Sequence, residues 1–352
     1  MRMALLPGDG VGPEVLAGPS ELAREISRRH PGLEITGPWP VGATAVPTHG
    51  EVLPPETVAA CADADCVLFG AVGDDPSVPG VARPELALIE LRRRFGLGIS
   101  VRQLWRPDHD PLVIVRNLLG GCYVDDALRT ESDGTSPAID PVTLEPERVE
   151  EVVRAALQVR AATGAGDVYS VDKANLFATS RLWRAVVGDQ LTAAGVPVRN
   201  VLVDRFAFEL AQDRVTSGLV ITEGLFGDIL SDLAAARAGS IALCSSASIN
   251  PRPTERLVGL FEPVHGSAPR LAGKSLANPT GAYLALAAAF EWFPETAFLA
   301  PAIRGALGEV MSSGTFTYDM APAPEEAVST GTFADAVNRA ARARLQAASV
   351  PG

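Results

Sequence analysis

The chain has 352 residues, 47% of them hydrophobic and 20% charged, the composition of a globular protein with apolar material for one or two packed cores. Its 42 acidic residues outweigh 30 basic ones, and the resulting charge of −12 argues against nucleic acid or an anionic membrane as a main partner. No apolar run reaches the ~18–20 residues that span a bilayer, and Ala4-Leu5-Leu6 is too short for a secretion signal. Cys61, Cys66, Cys122 and Cys244 show neither zinc nor disulfide spacing, so they read as buried thiols of a cytoplasmic protein.

Short apolar runs alternate with amphipathic segments, which predicts an α/β protein. A strand is expected at Arg2–Leu6, then a glycine-rich turn and a helix opening near Pro13. Cys66–Phe69 reads as a buried strand and Pro84–Phe95 as a helix with Leu88, Leu91 and Phe95 on one face. Val113–Val115 and Val168–Val171 read as strands, and Pro146–Ala162 and Leu176–Leu191 as helices. Val198–Val203 reads as a strand throughout, followed by helices at Leu225–Ala238, Tyr283–Phe293 and Phe333–Ala347. The stretch from Asp125 to Pro146 carries turn residues and little periodicity, as expected of a long excursion or a β-arm.

Five groups of residues could carry chemistry. Gly8-Asp9-Gly10-Val11-Gly12 follows the first strand, but its third glycine comes one residue early for G-x-G-x-x-G, so a tight turn is favoured over a phosphate cradle. Asp228 and Asp232 stand at i and i+4 among apolar neighbours, which predicts a buried pair. Either a hard divalent cation or a partner arginine would relieve their repulsion. Arg92, Arg102 and Arg116 could take a dicarboxylate through bidentate forks. The chain holds only two lysines, and Lys173 ends an apolar strand, where desolvation would suit it to proton transfer although Asp172 pulls the other way. Last, the segments from Glu262 to Pro269 and from Ala277 to Pro279 mix small residues with His265 and Asn278, a loop open to a flat nucleotide.

Taken in order, Leu5 through Val15, Val171 through Asn175, Thr222 through Asp232 and Glu262 through Asn278 resemble the β-decarboxylating dehydrogenases (isocitrate/isopropylmalate dehydrogenases), most closely the isopropylmalate branch. The resemblance implies a two-domain α/β subunit that is not a Rossmann fold. Residues 1–97 with 240–352 would bind nucleotide, and 98–239 would serve dimerisation and catalysis, with an arm near 125–146. It also implies a homodimer with shared sites, a small dicarboxylate substrate, Mg²⁺ or Mn²⁺, and NAD or NADP. The expected reaction is metal-assisted oxidative decarboxylation of 3-isopropylmalate, or a close 2-hydroxy-3-alkyl diacid, to the 2-keto acid, a step in leucine biosynthesis.

By the same resemblance Lys173 and Tyr123 are catalytic, and Arg92, Arg102 and Arg116 hold the carboxylates. Glu85, Leu88 and Ile89 meet the alkyl group. Asp228 and Asp232 bind the metal with Asp204, which the neighbouring subunit lends together with Lys173. Gly73, Glu262, His265, Gly266, Ser267 and Ala268 contact the cofactor, as do Leu271 and Asn278. Arg270 stands where NAD-using members carry an acid, and Tyr318 resembles a tyrosine of NADP-dependent members, so NADP is favoured. Other departures are a short segment over 103–115, Gln103 for a proline, Arg205 and Gly224 each for an asparagine, and Val124-Asp125-Asp126 after the tyrosine. They leave open D-malate, tartrate or another malate derivative as substrate. A non-catalytic regulatory paralogue is disfavoured because the catalytic and metal residues are all present.

Overall fold

A computed structural model describes residues 1–107, 109–118, 120–122, 130, 134–252 and 256–348. Tyr123 and Val124-Asp125-Asp126 lie outside them. In chain order come β1 (Arg2–Gly8), α1 (Gly12–Arg29), β2 (Glu34–Thr36), α2 (Val46–His49), α3 (Pro55–Ala62), β3 (Cys66–Ala71) and α4 (Leu86–Arg94). Then follow β4 (Ile99–Leu104), β5 (Leu112–Asn117), α5 (Pro146–Thr163), β6 (Val168–Asp172), α6 (Ala178–Ala193), β7 (Arg199–Leu202) and α7 (Val203–Ala211). The rest is β8 (Gly218–Thr222), α8 (Gly224–Ala238), β9 (Cys244–Ile249), β10 (Gly259–Pro263), α9 (Thr280–Trp292), α10 (Ala300–Ser312) and α11 (Thr330–Ala348).

The chain divides into two compact units. The first is Met1–Leu97, Trp105–Asp108 and Ala238–Gly352, and the second is Gly98–Leu104 with His109–Arg237. In the first, strands run β2-β1-β3-β10-β9, parallel except for the last pair. In the second they run β4-β5-β8-β6-β7, parallel except for the first pair. Strands covered on both faces are apolar without alternation, as β3 (Cys66-Val67-Leu68-Phe69) and most of β5 (Leu112-Val113-Ile114-Val115) are. Helix α9 buries every residue from Thr280 to Phe290 except Ala288, so it is the spine of the first unit rather than a surface helix. Each of its buried Leu and Phe side chains contributes about 1.5–3 kcal/mol. No helix among the described residues is long and apolar enough to cross a membrane.

One expected strand ends early. It stops at Leu202, and Val203 opens α7, which places Asp204 in a helical first turn, where the helix dipole favours an acid. Phe206 and Leu210, four apart, bury its inner face. The excursion between β5 and α5 folds back on itself, pairing Gly121 with Thr143 and Thr130 with Ile139. Cys61, Cys66 and Cys244 are buried, and burial pushes the Cys61 thiol up to about 12. Cys122 is only half-buried.

Candidate active site

In the second unit, the antiparallel register sets Ser100 opposite Arg116 and Arg102 opposite Ile114. Arg102 and Arg116 are therefore diagonal neighbours on one face of the β4–β5 pair. Arg116 is buried at the end of β5, its side chain 5% exposed. Its Nη1 donates to the carbonyl of Gly224 at 2.8 Å and its Nη2 to Asp228 Oδ1 at 2.7 Å. Glycine at 227 makes this possible, since a Cβ there would stand 2.8 Å from Arg116 Cδ and 2.9 Å from Thr222 Cγ2.

The acidic pair on α8 differs from expectation. Asp228 is half-exposed at 49%, and Asp232 is exposed, as are Leu225 at 49% and Ile229 at 61%. The buried stripe of α8 runs instead through Gly224, Gly227, Leu230, Ser231 and Ala234, leaving the aspartates toward solvent. The cation that offsets Asp228 is Arg116.

Lys173 follows β6, is half-buried and donates to Asp204 in the first turn of α7. That hydrogen bond holds the Asp204 carboxyl below the usual carboxylate range. The neighbouring Asp172 does not compete. Its buried carboxylate accepts from Arg184 Nε at 2.8 Å and Nη2 at 2.7 Å, and from the Ala174 amide at 2.9 Å. Arg205 is likewise engaged, donating from Nε to Glu209 at 2.7 Å one turn along α7. Among the described residues no three His, Cys, Asp or Glu side chains converge on one point, and Asp204 stays with Lys173 rather than with Asp228 and Asp232. The three aspartates nonetheless offer only carboxylate oxygens, the donor chemistry of a hard divalent cation.

In the first unit, the four amides of residues 9–12 in the glycine-rich turn are taken. Asp9 N donates to Ala71 O at 2.8 Å, Gly10 N to Asp75 at 2.6 Å, Val11 N to Ser267 O at 2.8 Å and Gly12 N to Asp9 O at 2.9 Å. None is left for a phosphate, so the motif is a tight turn. Gly10 has φ +58° and a Cβ on it would collide with Ser267 O, so only glycine lets the two loops approach. The buried Asp9 carboxylate accepts from the amides of Ala43 at 2.8 Å, Thr44 at 2.9 Å and Gly73 at 3.2 Å. Ser267 Oγ donates to Asp74 O at 3.0 Å. Turn 8–12, loop 72–75 and loop 265–268 thus form one knot of hydrogen bonds in which backbone groups meet the side chains of Asp9, Asp75 and Ser267.

His265 is half-buried, its Nδ1 on Gly266 O at 3.0 Å, and burial holds its pKa below the usual value. Its buried Nε2 finds no protein partner among the described residues. Gly266 is exposed, and Ala268 and Leu271 are half-buried, tied by Leu271 N to Ala268 O at 2.8 Å. The Asn278 side chain is used internally, donating to Asp319 at 3.1 Å and accepting from Thr280 N at 3.0 Å. Asp319 also accepts from Ser240 and Thr317, which fixes the strand of chain that presents Tyr318, 53% exposed. Arg270 is exposed and makes no ion pair among the described residues.

Arg92 lies in the last turn of α4, its Nε 3.1 Å from Ser248 Oγ on β9 and its Nη2 2.8 Å from Glu262 Oε1 on β10. Leu88 packs half-buried on the core while Ile89 and Glu85 are exposed, so the turn before Arg92 presents both apolar and acidic groups. Ser248, Arg184 and the buried Glu223, which accepts from Ser180, were not marked by any spacing in the sequence. Their partners stand 156, 12 and 43 residues away.

The isocitrate/isopropylmalate dehydrogenase family model matches residues 2–337. The 3-isopropylmalate dehydrogenase of Shouchella clausii is 37% identical over 361 residues, covering 96% of this chain and 97% of that one. That of Salinibacter ruber is 37% identical, covering 99% and 98%. Among solved structures, a β-decarboxylating dehydrogenase from Thermococcus kodakarensis superposes with TM-score 0.80 at 29% identity, covering 100% of this chain and 99% of that one. The isocitrate dehydrogenase of Methylococcus capsulatus gives 0.81 at 28%, covering 97% and 99%. The chain belongs to the isocitrate/isopropylmalate dehydrogenase family. It is a decarboxylating dehydrogenase with that family's fold.

Proposed function

We propose that this enzyme oxidises and decarboxylates 3-isopropylmalate to the 2-keto acid, as the names of its relatives describe, and so serves leucine biosynthesis. The observation that carries this reading is Arg116, a carboxylate-binding fork held against Asp228, a candidate metal ligand, across Gly227. Arg102 on the same face and Arg92 supply further forks for a dicarboxylate. The exposed Ile89 and half-buried Leu88 one turn before Arg92 suit a branched alkyl group better than a third carboxylate.

Asp204, Asp228 and Asp232 would hold Mg²⁺ or Mn²⁺. When bound, a nicotinamide would supply the hydride acceptor for C2 and a divalent cation the Lewis acidity that offsets negative charge as the carboxyl group leaves. Lys173 takes the proton of the C2 hydroxyl, and Tyr123 returns one to C3. The first unit binds the nucleotide, with Arg270 and Tyr318 turning preference toward NADP; the free guanidinium at 270 suits a 2′-phosphate. The second unit forms a homodimer through its exposed Leu176, Phe177, Phe208, Leu225 and Ile229, and lends Lys173 and Asp204 to the neighbouring subunit's site.

Reduced-cofactor formation from 3-isopropylmalate with Mg²⁺, run with NAD and with NADP, tests the proposal. Turnover supports the substrate, and the ratio of the two rates decides the cofactor. Turnover only with D-malate, tartrate or another alkylmalate replaces the substrate, and none with any of them overturns the reading.

A further inference from the structure

Arg92 is gripped from one side only. Its Nε and Nη2 are taken by Ser248 and Glu262, while Nη1 makes no hydrogen bond to the protein among the described residues. Ser248 is buried on β9, and Glu262, its side chain 9% exposed, lies on β10. The register sets Leu260 opposite Ser248 and Glu262 opposite Ser246, so Glu262 and Ser248 share one face of the antiparallel pair. The same face anchors the end of α4 again, through Asn250 Nδ2 donating to Phe95 O at 3.0 Å. An unpaired arginine of this length samples many rotamers, and fixing two of its nitrogens removes that freedom before a ligand arrives. A carboxylate buried this deeply also needs a cation, so Glu262 and Arg92 hold each other.

We propose that Glu262, with Ser248, is a positioning residue for Arg92, orienting its remaining Nη1 edge toward a substrate carboxylate, and is not a ligand of the nucleotide. The inference rests on the reading of Arg92 as a carboxylate-binding residue given above. It reassigns a side chain that the family resemblance places with the cofactor. It also ties substrate affinity to β10, the strand that leads directly into the His265 loop.

Steady-state KM values for 3-isopropylmalate and for the cofactor, measured on the full-length enzyme, separate the two roles. Glu262→Ala raises the substrate KM roughly tenfold and moves the cofactor KM by less than about twofold. Glu262→Gln, whose amide oxygen still accepts from Nη2, recovers most of the loss. In an Arg92→Ala background, adding Glu262→Ala changes substrate affinity, read by calorimetry, by less than about twofold, because the residue it acts through is gone. Ser248→Ala deletes one hydroxyl and raises the substrate KM about threefold alone, and it stands in if Glu262→Ala does not fold. A rise in the cofactor KM with an unchanged substrate KM, or additive effects of the Arg92 and Glu262 substitutions, overturns the proposal. A wild type inactive on every alkylmalate overturns the function reading instead.

Discussion

The glycine-rich turn of the first unit and the charged cluster of the second are built from different bonds. Around Asp9, backbone amides of Ala43, Thr44 and Gly73 converge on a fully buried carboxylate, and the amides of residues 9–12 are spent within the fold. Around Asp204 and Asp228, order rests on side-chain ion pairs whose acids are 63% and 49% exposed. Buried backbone bonds fix a shape that salt and ligands hardly alter. Pairs whose acids face solvent hold those acids loosely and let them exchange partners when a substrate or cation arrives. The first region is preset and the second is rearrangeable.

The largest effect expected on this contrast is at Lys173. Lys173→Met lowers kcat roughly 10³-fold, the usual weight of a general acid–base group, with circular dichroism unchanged. A loss of fold would place Lys173 with the preset region. Next, Asp9→Ala costs about 3 kcal/mol or more of stability in chemical denaturation, because three amides, two of them in buried bonds, lose their acceptor. A cost under about 1 kcal/mol would break the comparison. Raising ionic strength from about 0.05 to 0.5 M raises the substrate KM several-fold while the melting temperature moves little, since the Debye length falls below ~5 Å.

The smallest expected effect concerns Glu223. Burial raises its carboxyl pKa in the folded protein, so it contributes fully below its unfolded value and costs stability as pH rises through the folded one. Glu223→Gln therefore gains stability relative to wild type as pH rises above the unfolded carboxyl value and loses that gain below about pH 4, where the parent carboxyl is protonated in both states. Melting curves across that range check the sign.

Much of the fold was legible because buried parallel strands need apolar runs: Cys66–Phe69, Val113–Val115 and Val168–Val171 each fall inside a strand of the protein. Helix α7 was not. The run Val201-Leu202-Val203 stays apolar to the end of the expected strand, and the helical period of Phe206 and Leu210 begins only afterwards. The i, i+4 spacing of Asp228 and Asp232 gave their common face but not its exposure, which depends on which stripe of α8 meets the sheet. The grip of Glu262 on Arg92 joins residues 170 apart, and no local pattern encodes it. Tyr123 lies outside the described residues, so its role stays with the family resemblance.

The buried Tyr283 hydroxyl donates to Asn338 at 2.7 Å, and Asn338 in turn donates to Gly18 O at 3.2 Å. Helices α1, α9 and α11 are thus clasped through one polar chain inside an apolar core. On the ribosome this has a temporal meaning. Nearly all of the second unit is one uninterrupted run, His109–Arg237, and is complete before α9 is made. The first unit cannot close this chain until residue 338 emerges, so its opening segment, Met1–Leu97, waits with Gly18 still lacking its partner while the second unit is already complete in sequence.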